Sequence, residues 1–64
     1  MIRVNGVEDE YARENVDALL LRRGIEPRGV AVAINGDVVP RSAWTSTLIP
    51  DNSHVEIVTA AAGG

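Results

Sequence analysis

The chain has 64 residues and a formal charge of −3, with nine acidic residues against six basic ones, no cysteine and a single histidine. These numbers exclude a disulfide framework, a thiolate nucleophile, the usual Cys/His zinc constellations and a phosphate-neutralising nucleic-acid surface. A domain of this size buries only about 60% of the surface its unfolded chain exposes, which leaves little room for a deep cleft assembled from distant loops. No stretch approaches the ~20 apolar residues of a membrane span. Met1 to Gly6 has neither a long apolar run nor a cleavage site, so the expectation is a soluble cytoplasmic protein without a secretory leader. All six basic residues are arginine, and without lysine the chain offers no ε-amino group for an isopeptide bond.

In chain order, Ile2 and Val4 alternate with Arg3 and run into Asn5-Gly6. Asn-Gly is the strongest short hairpin signal, because a type I′ turn needs positive φ at both central residues. Val7, Asp9 and Tyr11 then alternate with Glu8 and Glu10, which predicts a second, exposed strand whose acids discourage edge-to-edge pairing. Asn15 is a good helix N-cap, and Asp17 suits the positive end of the helix dipole. Val16, Leu19 and Leu20 share one helical face. Arg22 and Arg23 fall in the last turn, Gly24 fits the left-handed position after it, and Ile25 sits where a Schellman motif places its apolar contact, over Leu20. Leu21 lies off this face; the spacing favours packing beneath a loop, with exposure toward a partner as the alternative.

Val30, Val32 and Ile34 alternate with Ala31 and Ala33, a third strand with its larger residues inward. Asn35-Gly36-Asp37 is a turn, Val38-Val39 a short strand ended by Pro40, and Arg41 to Thr47 an irregular or short helical stretch carrying Trp44, which the pattern favours as a lid on the core over a contact for a partner. Arg41 fits either a loop anchor or a pair with a partner's acid. Pro50 to Ser53 is a turn, and His54 to Thr59 the last strand, with Val55 and Ile57 inward and Glu56 and Val58 outward. One helix with an apolar stripe must cover one face of one sheet. The expected architecture is an α+β, β-grasp (ubiquitin-like) roll: a mixed sheet of about four to five strands, the first and last side by side at its centre, with one main helix packed on one face. Residues 1–59 form the single domain and 60–64 a flexible C-terminal tail.

Little in this chain resembles catalytic machinery. Ser42, Ser46, Ser53 and several threonines are available as nucleophiles, but His54 is the only imidazole and stands in a strand among residues that alternate in and out, where exposure is expected. The acids sit on edges and turns, no Gly-rich loop precedes a helix, and no metal site is expected. The end of the chain is different. With Gly at about 7% of residues, a terminal Gly-Gly arises by chance about once in 200. Either it is a frayed end or a reactive carboxylate on a slim stalk: Gly63 and Gly64 lack Cβ and can thread a narrow channel, and five extended tail residues reach ~17 Å. Val58, on the outward face just before the tail, forms with Ala31 and Ala33 a shallow apolar patch. Docking and simple filling of an exposed sheet face both remain open for it.

Several segments together resemble a known family. Asn15-Val16 with Leu19-Leu20, the stretch Ala33-Ile34-Asn35-Gly36-Asp37-Val38-Val39-Pro40-Arg41 followed by Trp44, then Leu48, Asp51, Val55 to Val58 and Gly63-Gly64 are similar to the sulfur carrier proteins of thiamine biosynthesis, the ThiS family. Two positions depart from the family pattern. Asp51-Asn52-Ser53 replaces an acidic-Gly-acidic turn, which Asn can accommodate because it tolerates positive φ. Arg23 stands where an apolar residue is common, and its stem can still cover apolar surface.

The resemblance implies a carrier and not an enzyme, with no bound cofactor and monomeric when free. It implies that an adenylating enzyme related to ubiquitin-activating enzymes uses ATP to place AMP on the Gly64 carboxylate. A sulfur donor fed by a cysteine desulfurase then converts the adduct to a thiocarboxylate, and thiazole synthase takes the sulfur. Gly64 is the expected chemical site and Gly63 the threading residue; Val58, Ala31 and Ala33 are the candidate docking residues. A carrier for molybdopterin or cysteine synthesis, a ubiquitin-like protein modifier, and an interaction module with an inert tail are the alternatives.

Overall fold

Two Asn-Gly turns shape the sheet. The computed structural model describes residues 1–59; the expected tail, residues 60–64 with Gly63 and Gly64, lies outside the described residues. Asn5 and Gly6 have φ of 52° and 82°, and Asn35 and Gly36 have 51° and 86°. Each pair is the positive-φ doublet that a two-residue hairpin requires. The first turn joins β1 (Ile2–Val4) to β2 (Val7–Asp9), with Val4 opposite Val7. The second joins β3 (Val30–Ile34) to β4 (Asp37–Val39), with Ile34 opposite Asp37. The last strand, β5 (His54–Thr59), lies between the hairpins, giving the order β2-β1-β5-β3-β4. It runs parallel to β1 and antiparallel to β3. This is the β-grasp roll, with the first and last strands adjacent at the centre as the element order predicts.

The β1–β5 ladder is short, pairing Arg3 with His54 and Val4 with Val55. Side chains extend it. Beyond the end of β1, Asn5 donates from Nδ2 to the Ile57 carbonyl at 3.1 Å and accepts the Ile57 N–H on Oδ1 at 2.8 Å. The amide does what the next strand residue would have done. On the other flank, Asn35 Oδ1 accepts the His54 N–H at 2.9 Å, while the Asn35 N–H donates to the His54 carbonyl at 2.8 Å. Each turn asparagine therefore reverses its own hairpin and clamps β5.

The helix α1 (Val16–Arg22) starts at Asn15, whose Oδ1 accepts the Ala18 N–H at 2.7 Å. It ends in a Schellman motif: Ile25 N–H donates to Leu20 O at 2.9 Å, Gly24 N–H donates to Leu21 O at 3.1 Å, and Gly24 has φ of 69°. Val16, Leu19 and Leu20 meet Ile2, Val4, Val32, Val55 and Ile57 from the sheet, and Trp44 and Ile49 close the core. Burying a side chain of this kind stabilises by about 1.5–3 kcal/mol.

Trp44 is only 3% exposed and donates from Nε1 to the Val39 carbonyl at 2.9 Å. A short 3₁₀ turn (Arg41–Ala43) precedes it. Arg41 lies over the indole at 5.1 Å and donates to the Pro27 carbonyl at 2.8 Å, so it anchors a loop. The turn at Asp51-Asn52 places Asn52 at φ of 63°, the positive value expected to survive there. Ile49, absent from the expected core, is drawn inward because Glu14 O and Thr47 O tie its segment to the helix start.

Three details differ from the expectation. Leu21 does not pack beneath a loop; it is 81% exposed, because the chain leaves the helix over Leu20 through Ile25 and passes Leu21 by. β2 stops at Asp9, before Tyr11, since the Asp9 carboxylate turns back to accept the Glu10 N–H at 2.8 Å, a local bond that competes with the ladder. Asp9 is also more than a solvated edge residue. It accepts from Arg23 Nη1 at 2.7 Å and lies 3.4 Å from Arg22 Nη2, while Arg22 Nε donates to Glu14 at 2.6 Å. The helix end is thereby tied to the edge strand.

Two outcomes follow from these contacts. Asn5→Gly keeps the positive φ and loses both bonds to Ile57, and should destabilise by roughly 2 kcal/mol in urea denaturation; Asn5→Ala, which also strains the turn, should cost more. The second concerns Asp9, whose pKa is held below the ordinary carboxylate value first by the Glu10 N–H and then by Arg22 and Arg23. A lowered folded-state pKa gives stability that is complete above the unfolded value of about 3.9 and is lost as pH falls through the lower folded value. Asp9→Asn should flatten that acid-side loss in urea midpoints measured from neutral to strongly acid pH.

Candidate functional site

Outward residues of β3, β4 and β5 make the candidate surface. Ala31 stands opposite Val58, Ala33 opposite Glu56, and Val38 opposite Ala33. The three residues singled out from sequence, Val58, Ala31 and Ala33, are thus brought together. With Val38, Glu56 and the edge of Val32 they line a depression of about 150 Å³. Val58 is 60% and Val38 73% exposed, so two branched apolar side chains face solvent across a floor of alanine. The alanines make it concave: on β3 a methyl group beside Val58 and another between Glu56 and Val38 leave space that larger residues would fill.

Two members were missed from sequence. Val38 and Val39 look equivalent in a two-valine strand. Only the Asn35-Gly36 hairpin register decides that Val39, paired with Val32, faces the core while Val38 faces out. Glu56 reads as an ordinary outward strand residue until the strand order places it beside Ala33. The expected chemical site, Gly64, and the threading residue, Gly63, lie outside the described residues; Val58 precedes Gly64 by six positions in sequence.

A second depression, of about 220 Å³, lies at the other end of the sheet and is lined by Arg3, Glu8, Asn52, Ser53 and His54 among others. It forms no hydrolytic pair. His54 is exposed on the strand, and the neighbouring Ser53 hydroxyl is buried and donates to the Pro50 carbonyl. Among the described residues no three His, Asp or Glu side chains are placed to hold a metal ion, and no helix is long and apolar enough to cross a membrane.

Comparison with known proteins identifies the family. Residues 2–64 match the ThiS family, a match that spans the sheet, the helix and the Gly-Gly end. The chain belongs to the ThiS family. A crystal structure of the thiamine biosynthesis protein ThiS from Geobacter metallireducens superposes with a TM-score of 0.81 at 31% identity, covering 98% of this chain and 97% of that one. A solution structure of a thiamine biosynthesis protein from the same organism gives 0.75 at 31% identity, covering 98% and 86%. A thiazole synthase of Paramagnetospirillum magneticum is 37% identical over 62 residues, which is 95% of this chain and 19% of that protein. The chain thus spans about a fifth of the length of that relative.

The geometry separates surface valines from core valines of the same strands. Val38→Thr and Val58→Thr should each change unfolding stability by no more than about 0.5 kcal/mol. Val55→Thr, which turns a hydroxyl into the core, should cost roughly 1–3 kcal/mol in the same urea titration.

Proposed function

We propose that this ThiS-family chain carries sulfur for thiazole formation on the carboxyl carbon of Gly64. The observation that supports the reading most is the family match over residues 2–64, which includes Gly63 and Gly64. Composition supports it further. Without cysteine, the chain can carry transferable sulfur only on a terminal carboxyl carbon, and without lysine it cannot be conjugated to its own copies through a side-chain amine.

The chemistry follows from the terminal carboxylate. With a pKa of about 3.3–3.7 it is ionised at neutral pH. One of its oxygens attacks the α-phosphorus of ATP, held by an adenylating enzyme, and pyrophosphate leaves. The resulting acyl adenylate is a mixed anhydride, so a donor bringing sulfur at the sulfide level displaces AMP and leaves a thiocarboxylate. That sulfur is then a nucleophile for thiazole synthase. Similarity to part of a thiazole synthase supports that enzyme as the partner, since a carrier-like segment there accompanies the enzyme that would consume its sulfur. The globular domain contributes binding: the apolar depression of Ala31, Ala33, Val38 and Val58 lies against β5, the strand that precedes the tail in sequence. The chain has no catalytic role of its own in this scheme.

The test is the intact mass of the protein from its own host before and after a thiol-alkylating reagent. Sulfur for oxygen adds nearly the same mass as one oxidation of Met1 or Trp44, so the alkylation decides. A tagged fraction mapping to Gly64 is expected, and deletion of Gly64 should abolish it while leaving the thermal unfolding curve unchanged. No tagged fraction after incubation with ATP, the adenylating enzyme and a sulfur source would overturn the proposal. A strain lacking the protein should regain growth on added thiazole; growth indifferent to thiazole would assign the carrier to another pathway.

A further inference from the structure

The outer face of the sheet has two unlike halves. Glu8, Arg3 and His54 form a polar row across β2, β1 and β5. The other half is the apolar depression, and Glu56 is the one charged residue that lines it. Glu56, Ala33 and Val38 form one cross-sheet row, with Val58 and Ala31 in the next. Glu56 is exposed, and the ion pairs among the described residues engage Asp9, Glu14 and Asp51 but not Glu56. Residues 60–64 are Ala-Ala-Ala-Gly-Gly and bring no cationic side chain.

A solvated carboxylate in this position is harmless. Covering the depression with an apolar partner surface changes that, because a carboxylate taken out of water without a counter-charge is strongly unfavourable. Any protein that fills the depression must therefore bring a cation to its rim. A cavity of roughly 150 Å³ accepts a group the size of benzene, so one phenyl-sized or leucine-sized side chain suits the floor. An arginine suits the rim best, since its planar fork pairs with a carboxylate through two parallel hydrogen bonds.

We propose that Glu56 is the charged pin of the docking face, and that thiazole synthase meets it with an arginine or lysine standing beside one large apolar side chain that fills the space between Val38 and Val58. The inference rests on the sulfur-carrier reading and adds to it the chemistry of the partner's surface. It also makes Glu56 a specificity residue. An enzyme with an apolar knob and an acidic neighbour would be rejected by like charge, and one with no charge there by desolvation.

The experiment measures the affinity of the whole chain for thiazole synthase of the same organism by calorimetry at low and high salt, with thermal unfolding of each variant as a folding control. Glu56→Arg should weaken binding roughly tenfold or more, and Glu56→Gln should weaken it less and flatten its salt dependence. Val58→Asp should also weaken it. If both Glu56 variants bind within about twofold of the native chain at low salt while Val58→Asp binds poorly, the face is used and the pin is wrong. If Val58→Asp also binds like the native chain, or the native chain does not bind, the proposed face or occupant is wrong. Alkylation of Gly64 in the same native sample reports separately on the carrier reading, which can stand when the pin fails.

Discussion

The register of β5 is the constraint on which the rest of the structure depends. Side chains along a strand alternate between faces, so a slip of one residue would send Glu56 and Val58 into the core and bring Val55 and Ile57 out. The β1 ladder alone offers two paired positions against β5, a weak specification for a central strand. The two turn asparagines add to it. Asn5 occupies the N–H and C=O of Ile57 on one flank, and Asn35 occupies those of His54 on the other. Neither pair of bonds can form after a one-residue slip, because the corresponding groups of the neighbouring residue point to the opposite flank. Core and outer face are both set by these contacts.

This arrangement shows what was legible in the sequence and what was not. Asn-Gly doublets announce their turns locally, and alternation in Ile2–Val4, Val30–Ile34 and His54–Thr59 announces which residues face inward. The helix and both its ends were legible for the same reason: cap, stripe and Gly24 lie within ten consecutive residues, Asn15 to Gly24. Pairings between distant segments carry no such mark. That Asn5 reaches Ile57, 52 positions away, depends on which strand arrives beside the first hairpin. Asp9 looked like one acid in an acidic run until the helix end folded back to bring Arg22 and Arg23 against it. Leu21 was misjudged because helical spacing tells which residues leave the apolar face, but not whether a loop will cross them.

The candidate surface shows the same division. Alternation identified Val58, Ala31 and Ala33 as outward-facing, and adjacency followed from the strand order. Val38 needed the register of a hairpin whose two valines are chemically identical. Glu56 needed the whole row, for a carboxylate on an exposed strand gains meaning only from the apolar groups around it. Gly63 and Gly64 were singled out by their chemistry alone, and lie outside the described residues.

A chain of this size divides its labour in a way the physics favours. Among the described residues the core uses nearly every large side chain that faces inward, and the surface-to-volume ratio of so small a domain leaves little from which to build an enclosed cleft. The proposed function accordingly puts the chemistry beyond the fold, at a carboxylate that needs no pocket of its own, and recognition on an open sheet face. A fully extended chain spans at most about 3.6 Å per residue, so the six positions from Val58 to Gly64 limit the separation between the proposed docking surface and the proposed reacting carbon to roughly 22 Å. An enzyme that engages the depression therefore holds its catalytic centre within that distance. On the proposed sulfur-carrier reading an activating and a sulfur-accepting enzyme both reach the same carbon, so contacts close to Val58 would serve one of them at a time. If both dock on the sheet face beside β5 they compete for it, and the carboxylate proposed above as a pin, Glu56, would then bias which of them is held longer.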